Sequence, residues 1–397
     1  MTAMFDLVSD DMRRDPFPLY AHLRSAAPVF SPPGSGLWLL LDHESVKRAL
    51  GDPATFSSAV MLPTGKAPDW LSFSDPPRHT KMRALIMRAF TPRSVALLEP
   101  RVRELANELL DEHIESGEMD LAVDYAGPLP MLVIAEMVGM PADDRAMLMR
   151  WSEVIMDLSH AVAGGATAAR AIEAHAAAKE EMQDYLDRLT AQRRAAPRDD
   201  LLTRLVEAEV DGEHLTPSDI LGFFQLLLAA GTETTTNLID NTVLCLCEHP
   251  DQRARLAGAP ELLTSAIEEV LRYRTPAQMV FRQTLRAVEM HGQHIPAGQF
   301  VIAVTGAANR DPKVFVEPDR FDIARDPNPH IAFGHGIHFC IGAALSRLEG
   351  RVAVGELLRR APDLRLASEA PWQPRRALIA HGPVHLPICF APGPRGG

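Results

Sequence analysis

The chain has little cysteine: four residues among 397. That is too few for a disulfide framework and points to a reducing compartment. It has no excess of positive charge either, with 40 Lys and Arg against 52 Asp and Glu, a net charge of −12 and a pI near 5.7. Such a surface repels nucleic acid and anionic lipid. No long hydrophobic run is present. Leu221–Gly231 and Pro128–Met140 are the most apolar stretches, and Gln225 and Glu136 interrupt them; both fall short of the ~20 residues that span a bilayer. The first residues, with Asp6, Asp10 and Asp11, lack the basic start and apolar run of an export signal. There is no internal repeat, no Gly/Ser linker, and no GxGxxG opening a helix after a strand, so no flavin or nicotinamide unit is expected. A mean hydropathy of −0.05 with 46% hydrophobic and 23% charged residues excludes a disordered chain, a collagen-like chain and a coiled coil. These absences predict a cytoplasmic protein with neither membrane nor nucleic-acid partners.

Helical patterning dominates what is there. Arg101–Ser116 carries Val102, Leu105, Leu109 and Leu110 at helical spacing. Thr216-Pro217-Ser218-Asp219 reads as a helix start, with a capping Thr, Pro in the first turn and an acid at the positive end. The apolar run that follows continues to Leu246 and predicts one long, central, buried helix. Pro260–Arg274 and Ile341–Arg360 are further helices. Strands are fewer: a hairpin of Val29-Phe30 and Trp38–Leu41 across Pro32-Pro33-Gly34, then Gln278–Arg282, Phe300–Val304 and His385–Phe390. Strands from both ends of the chain are expected to share one small sheet. The fold class is therefore mainly α (α+β), a single domain over 1–397, with an exposed connection at Ala191–Asp200 and a frayed tail at 391–397.

The chemistry concentrates in Phe333-Gly334-His335-Gly336-Ile337-His338-Phe339-Cys340-Ile341-Gly342. Three glycines let this backbone fold tightly and approach something flat and bulky. Cys340 is expected directly before a helix, where free N–H groups and the dipole favour thiolate over thiol. A thiolate so placed suits axial ligation of haem iron. The residues alone also admit a plain buried cysteine, or a zinc site using His335, His338 and Cys340, although no second ligand pair exists. Cys245, Cys247 and Cys389 read as core cysteines.

A second element is Ala230-Gly231-Thr232-Glu233-Thr234-Thr235. The Thr234 hydroxyl can bond the Ala230 carbonyl and open a groove in the helix. Gly231 leaves room there for a small ligand, beside the Glu233 carboxyl and the Thr234 hydroxyl. This reads either as a polar kink or as a proton relay. Third, the ExxR spacing occurs at Glu269…Arg272, Glu317…Arg320 and Glu356…Arg359, and spacing cannot choose among them. Fourth, His79 and Arg83 share a helix face at i, i+4. Arg282 sits on a strand, and His338 lies two residues before the cysteine.

Phe333 to Glu349, FGHGIHFCIGAALSRLE, resembles the haem-binding loop of cytochrome P-450 monooxygenases, FGxGxHxCxGxxLARxE. It departs at Ser346, where the family has Ala. AGTET resembles the family's oxygen-activation motif AGx(D/E)T. The resemblance runs from about Asp15 to Ile388 and points to the soluble bacterial branch. It implies haem b with Cys340 as axial ligand, in a loop that includes Phe333, Gly334 and Gly342. His79, Arg83, Arg282 and His338 would serve the propionates. Ala230 and Gly231 would lie over the haem, with Thr234 and Glu233 as catalytic residues. It selects Glu269 and Arg272, with Arg320 as third partner, as a structural lock. The implied activity inserts one oxygen atom from O2 into a hydrophobic substrate, with electrons from an external ferredoxin and its NAD(P)H reductase. A peroxide-driven peroxygenase and a non-oxygenating haem protein are the alternatives. Arg78, Lys81, Arg83, Arg88, Arg93, Arg101 and Arg103 offer a local basic excess for an acidic partner. Substrate walls are expected from Met61, Leu62, Phe223, Leu227, Met279, Val280 and Ile379, with Ala161–Ala178 as a lid. A monomer is expected.

Overall fold

The computed structural model describes residues 9–62, 65–66, 70–160, 165–376 and 379–396. In chain order the elements that frame the site are β1 (Val29–Phe30), β2 (Leu37–Leu40), β3 (Phe56–Ser57), α1 (Arg78–Ala89), α2 (Glu99–His113), β4 (Glu118–Asp120), α3 (Gly165–Ala195), α4 (Pro217–Gly231), α5 (Glu233–Glu248), α6 (Leu263–Tyr273), β5 (Val280–Thr284), β6 (Phe300–Ala303), α7 (Ala343–Arg360), β7 (Arg365–Leu366) and β8 (Pro387–Cys389). The fold is mainly α, as the patterning predicts. The chain divides into two compact units. One comprises Met1–Phe56, Leu98–Leu129 and Glu233–Gly397; the other comprises Ser57–Leu97 and Pro130–Thr232.

The first unit holds a five-stranded sheet in the order β1-β2-β6-β5-β3. The expected early hairpin forms, and β2 then pairs parallel with β6, setting Trp38 against Val301. Alternation along β6 feeds two cores. Val301 and Ala303 join Val29, Leu40 and Phe56 on one face, while Ile302 joins Phe17, Tyr20 and Leu41 on the other. The last strand does not join this sheet as expected. β8 lies between β7 and β4 in a separate sheet, with Ile388 opposite Met119. The chain after α7 does return beside the first sheet, where Ala380 bridges Ala277, but β8 beyond it makes its hydrogen bonds to β7 and β4.

In the second unit Thr216 caps α4 as predicted. Its hydroxyl accepts from the Asp219 N–H, the Asp219 carboxylate accepts from the Thr216 N–H, and Pro217 occupies the first turn. The predicted single helix to Leu246 is interrupted at Thr232, whose hydroxyl donates to the Leu228 carbonyl at 2.7 Å. Ala191–Asp200 is exposed as expected except at Arg193 and Asp200, and α3 runs into it as far as Ala195. Arg193 is buried there because its guanidinium donates to Asp200 Oδ2 at 2.5 Å and to the Gly139 carbonyl at 2.8 Å. Of the expected lid, 161–164 lies outside the described residues, and Gly165 onward is helix.

A π-helical stretch, Leu121–Ala126, precedes Pro128–Val138. It lengthens the apolar run to Leu121–Val138, 18 residues of mean hydropathy 1.4, the one such helix among the described residues long and apolar enough to cross a membrane. It is 61% buried inside the structure, and Tyr125 donates to the Ala353 carbonyl at 2.8 Å. Those contacts are those of a core helix.

Candidate functional site

The glycine loop is held by its own backbone. The Cys340 N–H donates to the Phe333 carbonyl at 2.9 Å, closing the segment into a tight turn. Gly336 has φ +72°, and a Cβ there would lie 2.7 Å from the Leu50 carbonyl oxygen, so only glycine fits. Cys340 is exposed at the end of this loop. α7 starts at Ala343 rather than Ile341, with Gly342 as its N-cap and an intervening turn. A zinc site gains no support. The one group of metal-competent atoms among the described residues is Asp42, Glu44 and His291. The His335 ring instead packs on Gly51.

A charged clamp supports the loop from below. Glu268, on α6, accepts from Arg347 Nε and Nη2 at 2.7 and 2.8 Å. His330 Nε2 lies 3.0 Å from the same carboxylate. Burial opposes ionisation of Glu268, but the hydrogen bonds from Arg347 and His330 outweigh it and take its pKa down to about 2. The Arg347 guanidinium lies 4.4 Å from the centre of the Phe333 ring. None of this was read in the sequence beyond the motif positions Arg347 and Phe333.

The first turn of α5 meets the first turn of α7, where Thr235 Oγ1 donates to Ser346 Oγ at 3.2 Å. Glu233 and Thr234 are half-buried beside it, while the rest of α5 from Thr235 to Leu246 is buried. On α4, Ala230 is exposed, and Gly231 packs against Ile134. Thr232 Oγ1 donates to the Leu228 carbonyl one turn back at 2.7 Å.

Two of the expected cations belong to the first unit. Arg282 is 4% exposed on β5, and its Nη1 donates to the Phe281 carbonyl at 2.8 Å; His338 is half-buried. In the second unit, His79 is buried on α1 and Arg83 is half-buried one turn later. The wall residues divide. Phe223 is buried and Leu227 half-buried on α4. Met279 and Val280 pack on the two cores of the sheet, as core residues do. The Ile379 carbonyl accepts from the Gln278 N–H at 2.7 Å. Met61 and Leu62 form a short strand against Gly65–Lys66, and their side chains lie outside the described residues.

The ExxR pair is fully buried, with Arg272 donating to Glu269 through Nε at 2.8 Å and Nη2 at 2.7 Å. Its remaining donors reach the carbonyls of Asn309, Pro318 and Arg320 at 3.1, 2.7 and 3.1 Å. The second guanidinium on Glu269 is that of Arg325, at 3.1 Å. Arg320 contributes its carbonyl alone; its side chain pairs with Glu317 at the surface because it lies on the outer edge of the loop.

The comparisons with known proteins decide the family. A profile described as cytochrome P450 (P-450) matches residues 152–258 and 260–361. The chain belongs to the cytochrome P-450 family. It is 41% identical to cytochrome P-450 monooxygenase PikC of Streptomyces venezuelae, covering 98% of this chain and 94% of that one. It is 37% identical to the 6-deoxyerythronolide B hydroxylase of Saccharopolyspora erythraea, covering 98% and 99%. Among solved structures, CYP109E1 of Bacillus megaterium in complex with testosterone superposes with a TM-score of 0.87 at 36% identity, over 95% of this chain and 99% of that one. This cytochrome P-450 is an oxygen-incorporating oxidoreductase of a haem b thiolate family. Its residues fit that group: an exposed thiol ends a loop with two glycines at positive φ, and a buried arginine on β5 can meet a carboxylate.

Proposed function

We propose that Cys340 is the axial thiolate and that Arg282 and His338 hold the haem propionates. For His79 and Arg83 the same role rests on the sequence resemblance. The observation that carries this reading is the exposed Cys340 thiol on a loop tied to α7, whose first turn bonds the Thr235 end of α5. Bound haem supplies the iron at which dioxygen is reduced and one oxygen atom transferred. Around it, Phe333 accepts from the Cys340 N–H and fixes the turn that presents the sulfur. Glu233 and Thr234 sit at the break between α4 and α5, where a carboxyl and a hydroxyl can hold and pass protons.

Electrons come from an external ferredoxin-type partner and its NAD(P)H reductase. The basic segment is less available for docking than its composition implies. Arg78 pairs with Asp219, Lys81 with Glu213, Arg101 with Glu104 and Glu108, and Arg103 with Glu99 and Glu356. Arg88 and Arg93 are exposed and in no ion pair among the described residues, so they carry the attraction. The substrate is a hydrophobic organic molecule, in keeping with the testosterone complex and the hydroxylase relative. The protein works as a cytoplasmic monomer.

Reduction under carbon monoxide tests the ligand: wild type shows the red-displaced band of thiolate coordination, and Cys340→Ser abolishes it. A wild-type protein without that band overturns the reading. Screening terpenoids, macrolides, steroids and fatty acids for a spin-state change identifies the substrate class. With a hit in hand, Thr234→Ala diverts electrons to peroxide and lowers product per NAD(P)H. Unchanged coupling removes the proton role of Thr234.

A further inference from the structure

The face of α5 that starts at Glu233 continues through Asn237, Asp240 and Asn241, which lie three and four residues apart on one side of the helix. Asn237, Asp240 and Asn241 are each 0% exposed. Protein partners account for only part of their polar atoms. Arg375 Nε donates to Asn237 Oδ1 at 2.9 Å. Asn241 Nδ2 donates to the carbonyls of His381 and Arg274 at 2.9 and 3.2 Å. Among the described residues, Asn237 Nδ2, both carboxyl oxygens of Asp240 and Asn241 Oδ1 have no hydrogen-bond partner. Buried polar atoms are rarely left so, and a run of donors and acceptors on one face is the setting in which proteins keep internal water.

The cover is backbone. A Cβ at Gly382 would lie 2.3 Å from Asn237 Oδ1, so the chain is pressed onto this face at that point. Two charges act on Asp240 from neighbouring segments: Arg375, which favours its ionised form, and Asp120 on β4, which opposes it. Burial dominates and holds the Asp240 carboxyl well above the usual carboxylate range. Asp120 accepts from the Leu386 N–H at 2.9 Å and pairs at 2.6 Å with His385, which is exposed. His385 is thus an exposed partner of the acid whose charge Asp240 feels.

We infer that Asn237, Asp240 and Asn241 form a buried water site on α5, and that Asp240, as its neutral acid, donates protons through that water toward Glu233. The water site stands on geometry alone; the proton supply rests on the role proposed above for Glu233. In the step, the Asp240 O–H bond breaks and its proton passes to water. Seven residues of helix, about 10 Å, separate Asp240 from Glu233. The proton therefore passes on through a second water before one is released to the Glu233 carboxylate, and the Asp240 carboxylate regains one from solvent. One proton moves inward and nothing is oxidised.

The test uses the haem-loaded protein without organic substrate. Infrared difference spectra of wild type against Asp240→Asn should show the carbonyl stretch of a hydrogen-bonded carboxylic acid that shifts in D2O; Glu349→Gln identifies any contribution from Glu349. Asp240→Leu should unfold at lower urea concentration than wild type, because it strands Asn237 Nδ2 and Asn241 Oδ1. An unbonded carbonyl stretch, or a leucine variant more stable than wild type, overturns the water site. Asp240→Asn keeps the shape and lacks the acid. It should slow NADPH-driven reduction of dioxygen to peroxide, with a ferredoxin and its reductase, by about tenfold or more while the thiolate band is unchanged. An unchanged rate overturns the proton supply. Absence of the thiolate band in wild type instead overturns the functional reading, and the infrared result still decides the water site.

Discussion

Gly336 shows how far one position can govern the cysteine loop. Its φ of +72° already excludes most side chains, and the Leu50 carbonyl closes the space a Cβ needs. Gly336→Ala should therefore destabilise the protein by about 1–2 kcal/mol from backbone strain alone, with the clash adding to it. Urea unfolding measures that loss, and the reduced carbonyl adduct should lose thiolate-type absorption. A variant as stable as wild type would show that the loop is not held as described. Residues of this kind were legible in the sequence because their chemistry is local: glycines and a cysteine at fixed spacing report a turn and its ligand. Arg325 was not legible. Three ExxR spacings and several arginines compete in the sequence, and the choice depends on how the loop through Asp322 folds back over Glu269. Asp240 was equally hidden, since an acid inside an apolar run signals nothing until its neighbours are known.

Among the elements, α6 and the loop that covers it form a heavily bonded polar unit. Glu269 receives two guanidinium groups and the Asp322 N–H, all at 2.7–3.1 Å. Arg272→Ala leaves a buried carboxylate short of its main partner and should cost about 3–5 kcal/mol. Arg325→Ala, 11% exposed at its side chain, should cost clearly more than Arg320→Ala, which removes only an exposed pair worth at most ~1 kcal/mol. Chemical denaturation of the three variants orders them. If Arg320→Ala proves as harmful as Arg325→Ala, the assignment of the third partner is wrong. Helix existence was readable from periodicity, yet helix ends were not. The break falls at Thr232, although the same hydroxyl-to-carbonyl bond from Thr242 to Leu238 leaves α5 continuous. The one buried pair in the exposed stretch after Ala191, Arg193 with Asp200, joins the last turn of α3 to a residue five beyond its end. Composition reports neither, because a charged stretch reads as solvated until its partner is found.

For the whole molecule, buried ionisable groups set the pH range of stability. Both Glu349 carboxyl oxygens are buried without a hydrogen-bond partner among the described residues, and burial pushes its pKa from 4.5 up to about 8. The unfolded chain gives up that proton above pH 4.5 while the folded protein keeps it. The folded state therefore binds more protons, and stability falls as pH rises from 4.5 to 8, by about 1.4 kcal/mol per unit. His381 works from the other side. Burial, reinforced by the charges of Arg274 and Arg310, lowers its pKa from 6.5 to about 3. The unfolded chain takes up a proton below 6.5 that the folded protein refuses, so stability falls as pH drops from 6.5 to 3. Between 4.5 and 6.5 these two slopes cancel, and Asp240, also held protonated in the folded protein, adds a further fall as pH rises. Glu349→Gln is neutral throughout, so its stability relative to wild type should climb steadily from pH 4.5 to 8 and level off beyond. His381→Gln should gain on wild type as pH falls from 6.5. Urea unfolding across this range reads both. A constant difference between Glu349→Gln and wild type from pH 4.5 to 8 would mean that Glu349 ionises in the folded protein as it does in the unfolded chain.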